Sequence, residues 1–237
     1  MKNIVILFVV SFITLTTITA QKVIEKNFSY KEQFIELDVN FARNIEVKTW
    51  DKNTVYFKAD IYTEDPQFLD FYKLNLNEGA GKIDIEEEAE GVFKAYRKDC
   101  IQKNPNKKRN CYNTGDLVEF NYVLYVPKNA KFKVSSINGD LKSDVIEGNF
   151  MVDLINGNID IKKYSGNLDL STINGEIDLK ISNTSLLAET IHGDIYASEE
   201  LGLISEDKHV GQKIWSESSS AKNKLKLNTI NGNMYLR

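Results

Sequence analysis

The chain has 237 residues, 30 basic and 34 acidic side chains, and a formal net charge of −4. Such a mildly acidic chain has no broad positive field for a phosphate backbone, so nucleic acid is excluded as the expected partner. With three prolines and no low-complexity stretch, nothing reads as a linker, and one all-β domain commonly spans about 200–250 residues.

Lys2 is followed by an apolar run from Ile4 to Ile18, then Ala20 ahead of Gln21. The pattern reads as a secretory signal peptide over residues 1–20; the run is shorter than the roughly 18 apolar residues of a spanning helix. The mature chain, residues 21–237, is expected to be exported to the periplasm or cell surface, with no transmembrane segment.

Residues 21–135 carry strand signals at Phe34–Val39, Ile45–Trp50, Val55–Tyr62, Lys73–Leu76, Lys82–Glu87 and Leu117–Val126. A short helix is expected from Asp65-Pro66 through Tyr72. No regular repeat joins these strands, so the segment is expected to be an irregular β cap. Cys100 and Cys111 flank a polar, basic insert. In an exported chain the pair reads as a disulfide; the alternative, a metal site, lacks a nearby His or further Cys.

From residue 136 to 237 one phrase recurs every nine residues. Glycines fall at Gly139, Gly148, Gly157, Gly166, Gly175, Gly193, Gly202 and Gly211, then at Gly232. Thr184 fills the one gap, and Asn223 stands in before Gly232. Apolar residues lie two and four positions after most of these glycines, and Asn138, Asn156, Asn174 and Asn231 precede alternate ones. Alternation at period two makes short strands with one buried face. Glycine supplies a corner with positive φ or a close backbone approach. A stronger repeat at 18 residues, Ile-Asn-Gly, pairs the nine-residue halves. The expectation is all-β: a single-stranded, right-handed β-helix or β-solenoid with 18-residue coils over residues 136–237, continuous with the 21–135 cap. The Asn corners would then stack, and Met234–Leu236 would be the exposed far edge, open to strand addition or self-association.

The reiterated Ile-Asn-Gly-Asp/Asn/Glu resembles the repeats of the bacterial putative-adhesin family, related to the head GIN domains of autotransporter adhesins. Residues 45–61 are similar to that family's early hairpin, and 123–141 to the strand that leads into its first coil. The resemblance covers about residues 41–237. It implies a β-helix-like solenoid, exported, with an adhesive role.

Asp140, Glu176 and Asp194 sit one residue after glycine, and Asp160 and Asp178 three after. Alternation points them outward, with Tyr196 and Tyr235, as a candidate binding face. Calcium would need six to eight converging oxygens, which a flat column seldom supplies. Asp160 and Asp178 on adjacent coils could mimic a glycosidase pair, but no long loops are available to wall a cleft. His192, in place of a corner Asn, and His209 are the only histidines. The expected function is non-catalytic and cofactor-free: an adhesin-like envelope or surface module binding a glycan or an envelope protein. The alternative is a periplasmic structural or regulatory protein acting through a protein partner; a polysaccharide-active enzyme is the weaker reading.

Overall fold

A computed structural model describes residues 20–105, 111, 117–181, 184–207, 210–216, 221 and 223–237. The signal-peptide expectation and His209 lie outside the described residues, apart from Ala20. No helix among the described residues is long and apolar enough to cross a membrane.

The fold is all-β, with nineteen strands among the described residues in one large open sheet. The first half contains β1 (Ala20–Ser29), β2 (Phe34–Asp38), β3 (Phe41–Trp50), β4 (Thr54–Thr63), β5 (Lys73–Glu78) and β6 (Lys82–Glu88). A 3-10 helix, Pro66–Phe71, interrupts it, with Asp65 as N-cap. Then come α1 (Glu90–Lys103), β7 (Val118–Pro127), β8 (Ala130–Ser143), β9 (Ile146–Asn156), β10 (Ile159–Ile161) and β11 (Tyr164–Ser165). The rest is β12 (Leu168–Asn174), β13 (Ile177–Leu179), β14 (Thr184–His192), β15 (Ile195–Ala197), β16 (Ile204–Asp207), β17 (Gln212–Ser216), β18 (Asn223–Asn231) and β19 (Met234–Leu236).

These strands form two parallel ladders joined at corners. Along ladder I the spatial order is β6, β2, β8, β9, β12, β18, β14. Along ladder II it is β7, β3, β8, β10, β13, β19, β15. A ladder I strand, its corner and the next ladder II strand make one rung. In the middle, neighbouring rungs are offset by 18 residues: Val152 lies between Val134 and Leu170, and Ile159 between Leu141 and Ile177.

Three expectations are corrected here. First, strands β2, β3, β6 and β7 are not part of an irregular cap; β2–β3 and β6–β7 stack in parallel as rungs of the same ladders. The boundary expected at residue 135 falls inside β8. Second, β19 is not the far edge. It lies between β13 and β15, as β18 lies between β12 and β14. The last rung in sequence is therefore next to last in space, and the first, β2–β3, is second in space. Third, Gly202 and Gly211 are not corners of parallel rungs. Strands β16 and β17 pair antiparallel, and β17 adds antiparallel to β14; Gly202 ends the short helix Glu199–Leu201, and Gly211, at φ 81°, immediately precedes β17. At the other end β4 and β1 add antiparallel strands beyond β7, and β5 pairs with β6. Turning the outermost strands antiparallel ends the parallel stacking at both ends of ladder I.

The inside of the ladders is a column of apolar side chains from each rung. Phe132 stacks on Phe150, with ring centroids 4.3 Å apart, and Leu168, Leu225 and Leu186 continue that row. Val134, Val152, Leu170, Leu227 and Ala188 are fully buried. Each buried side chain of this kind stabilises by roughly 1.5–3 kcal/mol. Helix α1 was not expected. It turns Val92 and Tyr96 inward, stacks Tyr96 on Phe68 at 4.0 Å, and carries Cys100 to a disulfide with Cys111.

The Ile-Asn-Gly corners explain their glycines by approach. A Cβ on Gly157 would lie 2.1 Å from the Gly139 carbonyl oxygen; on Gly175, 1.9 Å from that of Gly157; on Gly232, 1.9 Å from that of Gly175; and on Gly193, 2.0 Å from that of Gly232. Gly166 stands over Gly148 in the same way at the other corner, 1.9 Å from its oxygen. Thr172, Thr229 and Thr190, all buried, donate their hydroxyls to the carbonyls of Gly157, Gly175 and Gly232.

Two predictions follow from this packing. Gly175→Ala is expected to destabilise by roughly 3 kcal/mol through overpacking. Gly202→Ala, at φ 57° with no atom within 4 Å, is expected to lose only about 1 kcal/mol. Equal losses in urea unfolding would contradict the stacked corner. The second concerns Glu87, 5% exposed, whose Oε2 accepts from the Phe41 N–H at 3.0 Å and so ties one rung to the next. Burial raises its carboxyl from 4.5 to about 7, partly offset by the Phe41 N–H and the Tyr122 hydroxyl. The folded chain then holds a proton that the unfolded chain has lost. Stability falls as pH rises through that interval, by on the order of 3 kcal/mol, and is flat above it. Glu87→Gln is expected to remove this slope, read from urea midpoints at pH 5 and pH 8.

Candidate binding face

Alternation on ladder II sends Leu141, Ile159, Ile177 and Met234 inward, none more than 1% exposed. Their neighbours form two outward columns. The first, in spatial order, is Asn44, Asp140, Asn158, Glu176, Asn233 and Asp194. It is tied along its length: the Asn158 N–H donates to Asp140 at 2.9 Å, the Glu176 N–H to Asn158 at 2.8 Å, and the Asp194 N–H to Asn233 at 3.0 Å. The second column is Lys142, Asp160, Asp178, Tyr235 and Tyr196.

The structure brings all six expected face residues, Asp140, Asp160, Glu176, Asp178, Asp194 and Tyr196, onto this one surface. Tyr196 and Tyr235 stack with centroids 5.4 Å apart and planes at 11°. Tyr196 is 53% exposed and reaches Asp194 at 3.3 Å, whose negative charge raises the phenol's pKa. Tyr235 donates to Glu176 at 3.5 Å. Asp160 and Asp178 are directly opposite, and Arg237 pairs with Asp178. These carboxylates stand in two parallel columns, and Asp140, Glu176, Asp178 and Asp194 each accept a bond from a neighbour on the face. Among the described residues no group of three or more His, Cys, Asp or Glu could hold a metal ion.

At the other end of ladder II, sequence reading missed a second aromatic group. Trp50, Tyr56 and Tyr125 lie with centroids 4.9–6.4 Å apart, and Lys52 and Lys48 approach the Trp50 and Tyr125 rings. The alternation of β3, β4 and β7 was the signal that places them outward.

Beside the face runs the corner column. Asn156 donates to Asn138 at 3.1 Å, Asn174 to Asn156 at 2.8 Å and Asn231 to Asn174 at 2.7 Å. His192 follows, in register with Asn231. The isoleucines before these residues, Ile137, Ile155, Ile173, Ile230 and Ile191, stand outside, 37–46% exposed. The buried parity shifts by one at this corner, so Thr172 rather than Ile173 faces inward.

No family model matches the chain, and a search of curated proteins returns no relative. A solved structure described as a "putative cell adhesion protein" from Clostridium sporogenes is similar at 13% identity and a TM-score of 0.59, over 92% of this chain and 98% of that one. A "putative adhesin" from Bacteroides fragilis is similar at 11% identity and a TM-score of 0.32, over 91% and 97%. The first likeness is one of fold; the second is too distant to carry an argument.

Proposed function

We propose that the protein is an exported, non-catalytic β-solenoid, right-handed with 18-residue coils, that serves as an adhesin-like binding module in the cell envelope or at the cell surface. Its partner is a polysaccharide, held along the outer face of ladder II. The observation that carries this is the stacked Tyr196–Tyr235 pair flanked by Asp194 and Glu176. Aromatic faces bind the apolar face of a sugar ring, while adjacent carboxylates and amides take its hydroxyls. The one-rung spacing of about 4.8 Å repeats the same groups along the face, which suits a repetitive ligand. The fold shared with a chain described as a "putative cell adhesion protein" agrees with this role.

A second reading, a protein partner, is favoured by the edges. Among the described residues β15 and β16 each pair on one side only, as do β1 and β5 at the other end, so strand addition would occur at such edges and not at Met234.

The expected result on a glycan array is saturable binding of the mature chain to an extended polysaccharide. Tyr235→Ala should weaken it by roughly tenfold, or about 1.4 kcal/mol, with the fold intact by circular dichroism. Absence of any saturable glycan, or unchanged affinity in Tyr235→Ala and Tyr196→Ala, would remove this assignment.

A further inference from the structure

The outer face of ladder I differs in chemistry. A groove of about 830 Å³ crosses its strands, from Phe34 on β2 to Trp215 on β17. That volume is within the usual range of about 300–1,000 Å³ for small-molecule sites. Two outward columns line it. One contains Lys131, Asn149, Asn167, Lys224 and Ser185; the next contains Met151, Asp169, Lys226, Leu187 and Trp215.

Most polar groups of the groove are already engaged within the protein. Asn167 donates to Asn149 and accepts from the Lys224 N–H. Ser185 donates to the Ser216 carbonyl, and Ser216 to that of Thr184. Lys226 pairs with Asp169, and Lys213 with Glu189. Among the described residues the Lys131 and Lys224 ammonium groups have no ion pair. They stand in the same column, three ladder steps or about 14 Å apart, beside the apolar Met151, Leu187 and Trp215. Glu206, at the Trp215 end, is the groove's other carboxylate.

We propose that this groove binds a single-chain amphiphile with an anionic head, of the class of a free long-chain fatty acid. Its acyl chain lies across the strands from Leu187 and Trp215 towards Met151, passing over the Lys226 stem and its ion pair with Asp169 between them, and Lys131 or Lys224 receives the head. A peptide fits less well. From β2 to β17 the strands under the groove are paired on both sides, so a peptide strand could add only at β16, at the Trp215 end, while the engaged Asn and Ser side chains leave peptide amides without partners elsewhere. A hydrocarbon chain has none to satisfy, and the lysine stems extend its apolar contact. The charge complements a carboxylate head.

The test is displacement of a fluorescent fatty-acid analogue from the mature protein by palmitate, with native mass spectrometry for stoichiometry. One saturable site is expected. The surface double variant K131E/K224E should raise the Kd by roughly tenfold or more with an unchanged circular dichroism spectrum. Trp215→Ala should weaken palmitate as well, and Tyr196→Ala, on the opposite ladder, should leave it unchanged. No saturable palmitate binding, equal affinity in K131E/K224E, or attachment only to anionic vesicles without uptake of monomer would each overturn the proposal. Loss of glycan binding in Tyr196→Ala with palmitate binding retained would support it and separate the two sites.

Discussion

The structure depends on one close approach: the carbonyl oxygen of a corner glycine sits where the next rung's glycine would carry its Cβ. At Gly157, Gly175, Gly232 and Gly193 that gap is 1.9–2.1 Å, which no side chain can share. Glycine there keeps the corners in contact, and the ladder strands then meet at hydrogen-bonding distance. The same carbonyls would be under-satisfied in an apolar interior, and the hydroxyls of Thr172, Thr229 and Thr190 answer them. The Asn138–Asn156–Asn174–Asn231 column repeats the registration outside. Backbone, buried hydroxyl and exposed amide thus all specify the same one-rung step.

That redundancy explains what was legible in the sequence. The nine- and eighteen-residue periods, the strand positions after each glycine and the Asn column can all be read from residues 136–181, because they are local. The spatial order of rungs cannot. Thr190 is as compatible with Thr172 as with Thr229, and His192 with Asn174 as with Asn231, so pattern alone favours stacking in sequence order. Strands β2–β3 and β6–β7 hid their membership because no Asn-Gly corner marks them and α1 separates β6 from β7. Helix α1 shows only Val92 and Tyr96 as a buried stripe, too little to read as a periodic helix. The inward side of the Ile-Asn-Gly corner was also hidden, since a uniform alternation cannot register its one-residue shift.

The outward side-chain chemistry divides by ladder for a related reason. A rung must repeat its inward residues but is free to vary the outward ones. Ladder II uses that freedom for carboxylates, amides and stacked tyrosines, ladder I for lysines around an apolar groove. From β8 to β19 on ladder II and from β8 to β14 on ladder I, the strands' inner neighbours are buried, so the outward side chains project from a packed base; β15, which carries Tyr196, is the exception, with Ile195 half-buried and Ala197 exposed. Tyr196 and Tyr235 belong to β15 and β19, so the tyrosine pair exists only because the C-terminal rung lies beside the rung of β14 and β15. Trp215 of the groove reaches its place through the hairpin that covers β14. Both surfaces therefore rest on the out-of-sequence insertion of residues 223–237.

Paired cysteines test that insertion most directly. Ser171 on β12 lies opposite Asn228 on β18, which lies opposite Glu189 on β14. S171C/N228C places the two Cα atoms one strand spacing apart, about 4.8 Å, within disulfide reach; S171C/E189C places them two spacings apart, about 9.6 Å and beyond it. Mild oxidation followed by mass mapping is predicted to show the new cross-link in the first variant and not in the second. A cross-link in S171C/E189C, with none in S171C/N228C, would show rungs stacked in sequence order and contradict the account.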